Sequence, residues 1–281
     1  MKNMKKIISL ALVLVMALAM SVPALANKES KNAKFVLLGD SIAQGYGLGE
    51  DRSDWYTLGY GRLIADANGY DYVNHAISGH TTYNLNARLE EETVVADLAD
   101  ADIIAVSIGG NNFLLGGLSQ MVAEALLFKK YDLADKTIAE FYVDFGLVID
   151  KIKAINPDAQ LMVQTLYNPR DDIVGGVYQY AIDLLNENIR KIAAEKNNAY
   201  AVVDVYSRFA GHTDYIQKDQ IHPNEAGHYV IAGEYLKVLK DMGLGKADRP
   251  LSDMPEIEVR LTLLQRIIKF FKSIFSSVFG K

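Results

Sequence analysis

From residue 35 onward, short apolar runs alternate with longer segments in which apolar residues recur every three or four positions. The runs are Phe35-Val36-Leu37-Leu38, Tyr72 to Ala76, Asp102 to Ile108, Leu161 to Leu166 and Tyr200 to Val205. Near-continuous Val, Ile and Leu, in place of strict alternation, suits strands covered on both faces, so these five are predicted to be buried parallel strands. Between them, Tyr180 to Lys196 places Ile182, Leu185, Ile189, Ile192 and Ala193 on one helical stripe. Ala226 to Met242 repeats the scheme with Tyr229, Val230, Gly233, Leu236 and Leu239, and Phe113 to Lys153 is largely helical in pattern. Strands alternating with helices imply right-handed βαβ units and a doubly wound α/β sheet. Such sheets bind ligands outside the carboxyl ends of their strands, which is where chemistry is to be sought.

The two ends of the chain depart from this pattern. Lys2, Lys5 and Lys6 precede an apolar run from Ile7 to Met20, and Pro23 leads into Ala24-Leu25-Ala26. That is the layout of a secretory leader with an A-x-A cleavage site, and the run is shorter than the ~20 residues of a spanning helix. The predicted organisation is a signal peptide over 1–26, a main α/β domain over 27–248, and a linker plus basic amphipathic C-terminal helix over 249–281. In that tail, Leu264, Ile267, Ile268, Phe271, Ile274, Phe275 and Val278 share one helical stripe, opposed by Arg266, Lys269, Lys272 and Ser276. A basic amphipathic helix over 261–281 suits contact with a membrane surface, and equally packing on protein.

With 281 residues, 50% hydrophobic, the chain is long enough for one large core. Loss of the leader removes three lysines and no acid, taking the net charge from −6 to −9. So acidic a body lacks the clustered cations that nucleic-acid binding needs. The absence of cysteine excludes disulfides, a thiol nucleophile and thiolate metal sites. No His-x-x-x-His or acid cluster has metal-ligand spacing, and no cofactor is expected.

Polar, glycine-bearing segments follow the strands: Gly39-Asp40-Ser41, Ser78-Gly79-His80 and Gly109-Gly110-Asn111-Asn112. Near the end of the domain comes Asp219-Gln220-Ile221-His222-Pro223-Asn224. Ester hydrolysis needs a hydroxyl activated by a base, a third group that orients the base, and donors aimed at the developing oxyanion. Ser41 can be the hydroxyl, His222 the base and Asp219 its orienter, while Gly79 can offer an unobstructed N–H and Asn111 a side-chain amide. Each has a plainer reading. Ser41 alone would be a helix cap and His222 a turn residue. Asp40 suits backbone hydrogen bonding next to the nucleophile. Gly45, Gly47 and Gly49 lack the Lys-Ser/Thr of a phosphate loop and read as a flexible loop. His75, His80, His212 and His228 carry no assignment.

These blocks together resemble the GDSL, or SGNH, hydrolase superfamily: Gly-Asp-Ser at 39–41, Gly79, Gly-x-Asn at 109–111 and Asp-x-x-His at 219–222. They stand in the family's order at strand ends over about two-thirds of the chain. The resemblance implies a flavodoxin-like three-layer α/β/α sandwich with a five-stranded parallel sheet. It implies Ser41 as nucleophile with Asp219 and His222, and an oxyanion hole from Ser41, Gly79 and Asn111. Ile42 stands where the family often has Leu. Asn112 stands where Asp commonly follows the Asn, a carboxylate whose loop-orienting task an amide can in part take over.

The expected function is a secreted serine esterase acting on lipid or other acyl esters, with carbohydrate acetylesterase as the alternative. A catalytically silent surface-binding protein is the remaining rival. The apolar stretch Phe113 to Phe128 reads as either a core helix or an acyl-pocket wall, and Trp55, Tyr56 and Tyr60 as a stacking platform for a sugar.

Overall fold

The computed structural model describes residues 32–245; the predicted leader and C-terminal helix lie outside the described residues. Strands β1 (Lys34–Gly39), β2 (Asp71–Asn74), β3 (Ile103–Ser107), β4 (Gln160–Gln164) and β5 (Ala201–Val203) form one sheet in the order β2-β1-β3-β4-β5. Every neighbouring pair is parallel, which is the flavodoxin-like doubly wound order. The fifth run is shorter than its apolar pattern because Asp204 caps a new helix, accepting from the Ser207 N–H at 3.3 Å, so Val205 leaves the strand.

Side chains alternate across a strand, and here both faces are apolar. Val36, Leu38, Ile104, Val106, Leu161 and Val163 enter one core. Phe35, Leu37, Ile103, Ala105, Met162 and Val203 enter the other. In chain order the helices are α1 (Ser41–Gln44), α2 (Arg52–Leu58), α3 (Tyr60–Asn68), α4 (Thr82–Arg88), α5 (Glu92–Ala99), α6 (Gly110–Leu115) and α7 (Leu118–Ala123). A π-helical turn (Glu124–Phe128) follows, then α8 (Asp132–Ile155), α9 (Gly175–Glu195), α10 (Val205–Phe209) and α11 (Glu225–Asp241). Residues of α4, α5, α8 and α9 pack on the first core and those of α1, α3, α10 and α11 on the second, giving three layers.

Two helical expectations are refined. The 113–153 segment is broken at Gly116-Gly117, where Gly117 takes φ +102°, and again at Lys129 with φ +52°. Left-handed backbone ends a helix. In α11 Val230, Leu236 and Leu239 of the predicted stripe are buried, but the buried face also takes in His228, Ile231 and Tyr235, while Tyr229 and Gly233 are only partly buried. The reason is α3, whose Tyr60 stacks on His228 and Tyr235 at centroid distances of 5.8 and 5.4 Å. Tyr60, wholly buried there, cannot serve as a sugar platform.

Candidate active site

The site begins with a close approach of β1 to β3. A Cβ on Gly39 would lie 2.1 Å from the Ser107 carbonyl oxygen, so only glycine lets the strand ends meet. Asp40 then donates its N–H to Ser107 O at 3.1 Å. Its carboxylate caps α1, with Oδ1 accepting the Ile42 N–H at 3.0 Å. Burial pushes the Asp40 carboxyl up to about 7, against the opposing pull of the Ile42 N–H. With Asp40 as the cap, Ser41 is the first helical residue, and its amide lies ahead of the intrahelical ladder. The cap reading of Ser41 is thereby removed. Ser41 is less exposed than a strand-edge position suggests, at 8%, because its hydroxyl faces an imidazole.

Ser41 Oγ is 2.8 Å from His222 Nε2, and His222 Nδ1 is 2.6 Å from Asp219 Oδ2. Asp219 Oδ1 accepts the Ile221 and His222 N–H groups, each at 3.0 Å. Partial burial raises the Asp219 carboxyl, but the His222 ring and these two N–H groups together outweigh it and leave it below the ordinary range. The turn is tight: Gln220 adopts φ +61°, and Ile216 pairs with Pro223 across it. Asn224 caps α11 through the Gly227 N–H at 3.0 Å, so the Asp-x-x-His-Pro-Asn block is also a turn-and-cap unit.

Gly79 is exposed at φ +83°, and a Cβ there would meet nothing within 4 Å. Backbone conformation, not crowding, is what calls for glycine. Asn111 is buried and donates one amide hydrogen to His80 O at 3.0 Å, which leaves its second hydrogen. One residue that the sequence reading passed over, Gln44, ties these parts together. Gln44 Oε1 accepts from the Ser78 N–H at 3.0 Å and from the Ser78 hydroxyl, while its amide nitrogen hydrogen-bonds Tyr56 Oη. The nucleophile helix is thus fastened to the loop that carries Gly79. A glutamine on so short a helix has no periodic signal; only its burial marks it.

The other histidines play varied parts. His75 pairs with Asp97 at 2.8 Å, and His212 lies 3.3 Å from Asp214. His228 accepts the Tyr60 N–H on Nδ1 at 3.2 Å, and burial pulls it down to about 3, so it is neutral. Burial also lowers His80, whose carbonyl positions Asn111. Gly45, Gly47 and Gly49 all take left-handed φ. Among the described residues no group of three or more His, Cys, Asp or Glu could hold a metal.

Next to the site opens an apolar cavity that reaches Ile42, Gly110 and Ile221, the chain neighbours of Ser41, Asn111 and His222. Ile42, Phe113, Leu166, Tyr167, Ile182 and Ile221 are among its walls. The 113–128 segment therefore divides: Phe113 and Leu114 line the cavity, Met121 and Ala125 join the core, and Leu127 and Phe128 point outward, 73% and 67% exposed.

The chain is similar to several known proteins. The uncharacterized protein YpmR of Bacillus subtilis is 24% identical over 238 residues, 78% of this chain and 86% of its own. The lipase Lip_vut3 from a goat rumen metagenome superposes with a TM-score of 0.61 at 22% identity, over 76% of this chain and 99% of that one. A phospholipase A1 from Streptomyces albidoflavus gives 0.57 at 24% identity, over 75% and 99%. A variant of the Geobacillus acetyl-xylooligosaccharide esterase Axe2 gives 0.55 at 20%, over 79% and 100%. At these identities the likeness speaks to the fold. The family model for GDSL-like lipases and acylhydrolases, however, matches residues 37–230, most of the chain. The chain belongs to the GDSL-like lipase/acylhydrolase family and is a carboxylic-ester hydrolase.

Proposed function

We propose that the protein is an exported serine esterase that hydrolyses esters of hydrophobic acyl chains through a Ser41 acyl-enzyme. The observation that carries this reading is the continuous hydrogen-bonded line Ser41–His222–Asp219, with an apolar cavity walled by the neighbouring Ile42 and Ile221. His222 Nε2 takes the Ser41 proton as Oγ attacks the ester carbon. Asp219 fixes the tautomer through Nδ1 and stabilises the imidazolium. The Ser41 and Gly79 N–H groups and the second Asn111 amide hydrogen donate to the oxyanion. Collapse of the tetrahedral intermediate releases the alcohol, which receives the proton held by His222. Water then enters, His222 again accepting a proton, and the carboxylic acid and free Ser41 are restored.

The cavity argues for an acyl chain over acetate alone, since acetate would leave its walls without contact. Export is supported by the Lys2/Lys5/Lys6 segment, the apolar run after it and Ala24-Leu25-Ala26. The basic tail over 261–281 supports attachment to an anionic membrane surface.

The test is hydrolysis of p-nitrophenyl acetate, butyrate and octanoate by the wild type and by Ser41→Ala. Turnover of the longer esters that vanishes with Ser41 is the expected result. Turnover that survives in Ser41→Ala removes the nucleophile, and cleavage of acetate alone removes the acyl-chain reading.

A further inference from the structure

Ser41 and Asp219 occupy both nitrogens of the His222 ring. Two hydrogen bonds in the ring plane leave the ring free to tilt about the line that joins them. A partner on the face of the ring removes that freedom, and Tyr46 is on that face. Its centroid lies 4.5 Å from the imidazole centroid with the planes inclined by 35°. Tyr46 is itself braced by Trp55, at 4.6 Å and 50°.

The backbone of Tyr46 is held to the same turn. Gln217 Nε2 donates to Tyr46 O and to Pro223 O, both at 2.8 Å, and the Gln217 N–H donates to His222 O at 2.8 Å. The neighbouring Gly47 sits at φ +78°, and a Cβ there would come within 2.5 Å of Gln217 Oε1, so the Gln217 amide would have to shift. The loop that follows the nucleophile is thus fitted around a side chain from the turn that carries the base.

We propose that Tyr46 is a positioning residue for His222, held in place by Gln217. Its ring keeps Nε2 directed at Ser41 Oγ, and its π-face favours the imidazolium that forms when Ser41 gives up its proton. This rests on the proposed role of His222.

The experiment compares kcat and KM for p-nitrophenyl butyrate in the wild type, Tyr46→Phe, Tyr46→Leu and Gln217→Ala, with Ser41→Ala alongside. Tyr46→Leu is expected to lower kcat about tenfold, or ~1.4 kcal/mol, with KM within about twofold. Tyr46→Phe, which keeps the ring, should restore kcat to within about twofold of the wild type. A wild-type kcat in Tyr46→Leu overturns the proposal. So does a raised KM at constant kcat, which would mean that the ring touches substrate, and so does a Phe variant as slow as the Leu variant. If Tyr46→Leu does not fold, Gln217→Ala decides: a lowered kcat at constant KM supports the proposal, and an unchanged kcat overturns it. Turnover that persists in Ser41→Ala would fell the triad reading itself, whatever the Tyr46 variants show.

Discussion

Asn112 and Thr82 are joined by a reciprocal pair of hydrogen bonds: Asn112 Oδ1 accepts the Thr82 N–H at 3.0 Å, and Asn112 Nδ2 donates to Thr82 Oγ1 at 2.7 Å. The residue that departs from the family's usual Asp therefore still anchors the start of α4, next to the loop that carries Gly79 and beside Asn111 of α6. Asn112→Asp should keep both contacts, with the Thr82 hydroxyl turned to donate, and kcat/KM should stay within a fewfold of the wild type. Asn112→Ala leaves the Thr82 N–H without that acceptor, at about 1–2 kcal/mol of stability, and should lower kcat as the loop loosens. Thermal melting and ester kinetics on both variants check this; an Ala variant equal to the Asp variant in both would refute it.

Asp219→Asn should lower kcat by about 10²–10⁴-fold with little change in KM, because an amide nitrogen facing Nδ1 favours the wrong tautomer of His222. Steady-state kinetics, normalised by active-site titration with a phosphonate, would measure this. A loss below about threefold would deny Asp219 its orienting task.

Asp40 gives a pH dependence of stability. In the folded protein it keeps its proton up to about pH 7, whereas its ordinary value is 3.8. Between these values the folded state binds more protons, so this group makes stability fall as pH rises from about 4 to about 7, with no further change above. Asn at 40 can still accept the Ile42 N–H as a cap but does not titrate. Melting temperatures of the wild type and Asp40→Asn should diverge by several degrees across that window, the variant being relatively more stable at pH 8. Parallel curves would contradict it.

Ile182 lies in the cavity wall at 6% exposure. Ile182→Trp should narrow the cavity and lower kcat/KM for octanoate about tenfold relative to acetate, in line with the 1–3 kcal/mol that small pocket changes are worth. Overpacking also destabilises by about 1–3 kcal/mol, so the octanoate-to-acetate ratio within one preparation is the quantity to read. An unchanged ratio would place the acyl chain elsewhere.

Deletion of residues 256–281 should leave hydrolysis of a soluble ester intact and reduce binding to vesicles of phosphatidylcholine with phosphatidylglycerol. Co-sedimentation measures the second effect. Equal binding by the full and shortened chains would end the membrane-surface role of the tail.

Much of this protein was legible along the chain. The five apolar runs mark the five strands: in β1, β3 and β4 burial on both faces demands continuous hydrophobicity, a local property of sequence, whereas the edge strands β2 and β5 are only partly buried. The blocks around Ser41, Gly79, Asn111 and Asp219/His222 stood out because they follow those strands or close the domain. What the sequence left open depends on residues far apart in the chain. Whether Ser41 is a cap was decided by Asp40 taking that place, and by a histidine 181 residues away reaching its hydroxyl. The buried face of α11 was widened by Tyr60, and Gln44 found Ser78 only because two strand ends meet. Periodicity encodes which face of an element is apolar; the partners of a polar side chain are set by packing between elements, and no local pattern records them.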